Sequence, residues 1–108
     1  MADDSYYNTT RVTGAQLRQY IESAKGQEAE TLKFFLRHSS ELLTPEDVNR
    51  LVLPTAPRHS ISRVMRNLTR AGFLEKTIHQ TYGEYGRPIH YWRLGKIDNL
   101  LSVQEAMF

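Results

Sequence analysis

From Arg58 to Arg70 the chain reads RHSISRVMRNLTR, a stretch without one acidic side chain. Wound at about 100° per residue, Ile61, Val64, Met65, Leu68 and the following Ala71 fall on one side of a helix. His59, Arg63, Arg66 and Arg70 fall on the other, spaced i, i+4, i+7 and i+11 along one face. Gly72 then offers the left-handed backbone that ends a helix at no steric cost. A rod this one-sided must bury its apolar back, so the rest of the chain has to supply a platform for it. Its wet side is less ordinary. Like charges one turn apart repel, and a merely solvated face mixes both signs. A row of cations alone points to a polyanion, and a basic stripe along one helix is the footprint of nucleic-acid binding.

Charge is distributed to match. Residues 1–47 hold eight acidic and five basic side chains, a balance of −3. Residues 48–96 hold nine basic and two acidic ones, +7, and residues 97–108 return to −2. A field so uneven draws the middle of the chain towards a polyanion. At 108 residues one domain is expected. The absence of cysteine excludes disulfides and thiolate metal sites and suits a reducing compartment. No apolar run is long enough to span a membrane, and the polar, acidic start MADDSYYNTT does not read as a signal peptide. A cytoplasmic protein is expected.

Along the chain, residues 1–12 lack periodicity and read as a flexible arm. Residues 13–25 read as a helix capped by Thr13, with Leu17, Tyr20, Ile21 and Ala24 at helical spacing and Gly26 after it. Its apolar face would pack on the domain or on a second copy. Residues 27–38 form a second helix with Leu32, Phe35 and Leu36 inward. Glu41 to Leu43 suffice only for a bridge-like strand. Thr44, Pro45, Glu46 and Asp47 give a strong helix start, with Val48, Leu51 and Val52 as the inner face. LPTAP at 53–57 must turn. The cationic helix follows over about 57–71. The period then shortens to 2: a strand over 73–79, a glycine-containing hairpin loop over 80–87 and a return strand over 88–94 opened by a proline. Residues 96–108 read as a terminal helix, a candidate dimerisation element. A two-stranded hairpin is marginal alone and must lean on the helices. The expected class is α+β, mainly α.

SISRVMRNLTRAGFLEK resembles the recognition-helix signature of winged helix-turn-helix transcription regulators of the MarR, ArsR and PadR kind. Those show a small polar residue, an aliphatic, Ser and Arg, then Lys or Arg, Leu, and an Ala-Gly before the first wing strand. LLTPEDVNRLV is similar to the helix before the turn in that family, and GRPIHYWRL to the wing's return strand. The likeness covers residues 28–95. It implies a winged helix domain over 13–95 with a helix added at each terminus. It differs in its two-proline turn, in lacking the pocket-forming domains of larger relatives, and in having no metal-sensing motif.

The resemblance assigns groove contact to Arg58, His59, Ser60, Ser62 and Arg63, with Arg66 one turn on. Physics supports this independently: the major groove admits one helix, and arginine can donate two hydrogen bonds to one guanine. Arg63 is the first candidate for base reading. Arg70 would reach phosphate. At the wing, Arg87 suits a narrow minor groove and Tyr85 or Tyr82 a sugar-phosphate edge. Tyr91, Trp92 and Leu94 are read as core. His79 and His90 could face each other across the hairpin, but two histidines are half a zinc site, and no metal or cofactor is expected. No nucleophile stands in a recognisable catalytic setting, so no enzyme is expected. The function expected is sequence-specific binding of double-stranded DNA by a small bacterial or phage transcription regulator. It would act as a homodimer, without a small-molecule effector. The alternatives are a winged protein-interaction module and a replication or recombination accessory factor.

Overall fold

The computed structural model describes residues 12–24, 26–83, 86–98, 100 and 104. In chain order these form β1 (Val12–Thr13), α1 (Gly14–Ser23), α2 (Gln27–Arg37), α3 (Pro45–Leu51), α4 (Arg58–Arg70), β2 (Leu74–Tyr82), β3 (Pro88–Leu94) and β4 (Ile97–Asp98). The class is α+β.

Each helix is started by chemistry local to it. Thr13 and Gln16 form a reciprocal capping box on α1, with bonds of 2.9 and 3.1 Å. Thr44 and Asp47 do the same for α3 at 3.0 and 3.1 Å, with Pro45 in the first turn. α2 follows Gly26, whose φ of 77° suits glycine. α4 starts after Pro57 and stops at Gly72, φ 89°. Between α3 and α4 the Asn49 side chain donates to the carbonyls of Leu53 (2.8 Å) and Ala56 (3.0 Å), clamping the two-proline turn. That clamp turns the chain away just after Leu51. Leu51, expected inside, is 53% exposed, and only Val48 of α3 is buried. Ala71, expected on the apolar back of α4, caps the helix and is exposed.

One core joins all the layers. Leu17 and Ile21 of α1, Leu32, Phe35 and Leu36 of α2, Val48 of α3, and Ile61, Val64, Met65 and Leu68 of α4 meet Phe73, Leu74 and Leu94. α1 therefore spends its apolar face within its own chain. Of the two places open to it, the domain and a second copy, the face packs on the domain.

Two further expectations change at the chain ends. Val12 belongs to the fold, not to a loose arm, and the segment after Gly95 starts extended, not helical. β1 and β4 pair in parallel, Val12 with Ile97 and Thr13 with Asp98, and Val12 N–H donates to Lys96 O at 3.1 Å. Both Val12 and Ile97 are buried. Helix is reached by Leu100, and Gln104, also helical, donates to Leu36 O at 2.8 Å. The remainder of the expected terminal helix lies outside the described residues.

The antiparallel hairpin β2–β3 holds a register of Leu74 with Leu94 and Lys76 with Trp92, then slips to Gln80 with His90 and Tyr82 with Pro88. Thr77, Ile78 and His79 together span what Tyr91 spans alone, a bulge. Thr77, fully buried, donates to Tyr91 O at 2.8 Å and fixes it. β2 thus runs three residues past the expected strand, and the loop shrinks to 83–87. Leu43 bridges to Trp92 on the other edge of β3 through bonds of 2.8 and 2.7 Å. Trp92 serves the core as expected: its indole N–H donates to Thr69 Oγ1 of α4 at 3.1 Å. At the base of the hairpin Gly95 N–H donates to Phe73 O at 2.8 Å, and a Cβ there would stand 2.5 Å from Gly72 O. Backbone cannot yield as a side-chain end can. Gly95→Ala is therefore expected to destabilise the domain by about 2 kcal/mol, the usual cost of overpacking, read as a lower urea midpoint with an unchanged slope.

Candidate nucleic-acid interface

The site is built by seating α4. With Ile61, Val64, Met65 and Leu68 each no more than 2% exposed, the opposite side of the helix has to face outward. His59, Arg63, Arg66 and Arg70 are all exposed there, as are Arg58 and Ser62. No acid occupies the first turn of α4, although the positive helix end favours one. Arg58 and His59 stand there instead, so helix dipole and side chains add to one positive potential. Beside this turn an open groove of about 250 Å³ runs between α4 and α3, lined by Pro45, Glu46, Asn49, Arg58, Ile61 and Ser62.

Ser60 departs from expectation. It is 8% exposed and lies one turn before Val64 on the inward row of α4, so it packs and cannot contact a groove.

At the hairpin end Gly83 N–H donates to Arg87 O (2.9 Å) and Gly86 N–H to Gly83 O (3.0 Å), with Gly86 at φ 74°. Arg87 is exposed and Tyr82 is 78% exposed. Tyr85 lies outside the described residues. Gly83 abuts α3: a Cβ at Gly83 would collide with Ile89 and stand 3.1 Å from Glu46 Oε1. The hairpin end, the start of α3 and the start of α4 thus border one region.

His79 and His90 are not brought opposite one another. The bulge pairs His90 with Gln80, and the two His90 ring nitrogens sit 2.7 Å from Thr77 O and 2.9 Å from Gln80 Nε2. Among the described residues no group of three or more potential metal ligands gathers, and no helix is long and apolar enough to cross a membrane.

One functional neighbour was not legible in the sequence. Glu28, on the first turn of α2, accepts a hydrogen bond from Asn67 Nδ2 of α4 at 2.8 Å and another from Tyr20 O–H of α1 at 2.7 Å. The bonds from Asn67 and Tyr20, reinforced by the charge of Arg63, hold its carboxyl below the usual glutamate range against a modest burial cost. Burial, with Glu28 beside it, drives the Tyr20 phenol well above its ordinary value. The cationic front of α4 is thus bordered by the Glu28 carboxylate one turn along from Arg63, as it is by Glu46 in the groove beside Arg58. Acidic residues in a first helical turn normally signify only the dipole, so nothing local marked this one.

Compared with protein-family models, with curated proteins and with solved structures, the chain matches none.

A glutamate whose folded pKa is depressed adds stability above its unfolded pKa and loses it as pH falls through the folded one. Glu28→Gln is therefore expected to lower stability at pH 7 by less than about 1 kcal/mol, since solvent screens the site. The difference should fade as pH drops below the ordinary value of 4.5. Paired urea titrations at neutral and acid pH check this.

Proposed function

We propose that the chain is a winged helix-turn-helix protein that binds double-stranded DNA, with α4 in the major groove and the β2–β3 hairpin against the minor groove or backbone. The winged reading is supported by the order α2, bridging Leu43, α3, turn, α4, hairpin, and by the bridge of Leu43 to Trp92 as a third strand of the hairpin sheet. The DNA reading rests on one observation above all: an exposed row of His59, Arg63, Arg66 and Arg70 on a helix whose other side is core. Arg58 and Ser62 extend that row at its start, and Arg87 offers a cation at the hairpin.

In this reading Arg63 donates to base edges, Arg66 and Arg70 reach phosphates, and Arg87 enters or flanks the minor groove. One helix reads few base pairs, so two copies would bind half-sites about 34 Å apart. The biological role is that of a small cytoplasmic transcription regulator, a binding protein and not an enzyme.

Fluorescence anisotropy with duplex DNA at several salt concentrations tests the reading. The expected result is a fall in log K against log salt of about −0.9 per phosphate contact. A flat response would replace DNA with a protein partner. Arg63→Ala is expected to cost about 1–3 kcal/mol and to relax preference at one base position, whereas Arg70→Ala should weaken all sequences alike.

A further inference from the structure

Resting on the DNA reading, we propose that Glu28 is a specificity-determining residue. It is a carboxylate pinned between Tyr20 and Asn67 that suppresses indiscriminate binding of duplex phosphates by α4. Three features carry the inference. First, Glu28 is fixed: each of its oxygens accepts one side-chain hydrogen bond, 2.7 Å from Tyr20 and 2.8 Å from Asn67, so α1, α2 and α4 all hold it in place. Secondly, it is placed where it counts, since Asn67 follows Arg63 by one helical turn on the outward side of α4, and both are exposed. Thirdly, it is ionised at neutral pH, because both hydrogen bonds and the nearby guanidinium favour the charged form.

A fixed anion beside a cationic row acts unequally on two kinds of complex. A phosphate attracted by the row meets the carboxylate as well, and the repulsion applies to every sequence. A base edge is neutral, so an arginine hydrogen-bonded to it incurs far less of that repulsion. Glu28 therefore takes more from non-specific than from base-read binding and widens the gap between them. Specificity is a difference of affinities, and such a gap can be opened from the unfavourable side. The Asn67 amide group that binds Glu28 is in turn withdrawn from base reading.

The probe is a random-sequence duplex about two helical turns long, titrated by anisotropy at low and moderate salt. Glu28→Gln keeps the shape and removes the charge; one accepting oxygen becomes an amide donor, which the Tyr20 hydroxyl can meet as an acceptor. It is expected to tighten random-duplex binding about threefold to tenfold at low salt, the effect of one charge near a surface. The gain should shrink as salt screens it. Glu30→Gln changes the net charge equally from an exposed position two residues along the same helix and should stay within about twofold of wild type. If wild type binds with a steep salt response but Glu28→Gln matches it, or if Glu30→Gln gains as much, the role of Glu28 is overturned while the DNA reading stands. If wild type does not bind the duplex, the DNA reading itself is overturned. A circular dichroism melt verifies folding. Should Glu28→Gln be unfolded, Asn67→Ala, which releases the carboxylate from α4, is expected to give a smaller gain in the same direction, and no gain overturns the proposal.

Discussion

The packing of the α4 back governs this molecule. Ile61, Val64, Met65 and Leu68 leave water almost completely, each contributing about 1.5–3 kcal/mol by burial. They share one core with Leu17 and Ile21 of α1, Leu32, Phe35 and Leu36 of α2, Val48 of α3 and Leu74 of β2. The rotation of α4 about its axis is thereby settled. Once four apolar side chains point inward at helical spacing, the residues between them have one way to face. The cationic row is presented because of the core.

The hairpin is attached to this helix by means other than apolar burial alone. Trp92 donates to Thr69, and Thr69 in turn donates to Met65 O, so β3 is tied to the last turns of α4. Glu75 and Arg93 pair at 3.0 Å across the two strands, with Glu75 only 2% exposed. A buried ion pair is poor evidence for stability, because desolvation offsets much of the attraction. Its service here is register. It stands one residue pair before the bulge of Thr77 to His79, and a slip of one residue would exchange the faces of Glu75 and Lys76.

Much of this was readable in the amino-acid sequence, for local reasons. Thr44-Pro45-Glu46-Asp47 marks a helix start within four residues, and Pro88 marks the first residue of a strand that cannot use its missing N–H. The limits of α2 and α4 followed from their flanking Gly26 and Gly72. Failures came where a local signal was projected too far or where the partner was distant. Leu51 is the last residue of α3, and the chain turns away directly after it and leaves its side chain exposed. Ser60 has a polar side chain, but its place on the inward row of α4 decides its burial. The β1–β4 pair is two residues long and joins opposite ends of the chain, leaving no periodicity to detect. Glu28 meets Asn67 thirty-nine residues later. No inspection of either neighbourhood would have joined them, and the cationic side looked continuous for that reason.

The parallel pairing of Val12–Thr13 with Ile97–Asp98 bears on mechanics. β1 is entered from its N-terminal end and β4 is left from its C-terminal end, so tension drawn through the flanking segments pulls the two strands along their length in opposite senses. Tension applied across the two strands falls in shear on Val12, Ile97 and the bond from Val12 N–H to Lys96 O, while the bond from Gln104 to Leu36 O ties the chain beyond β4 to α2.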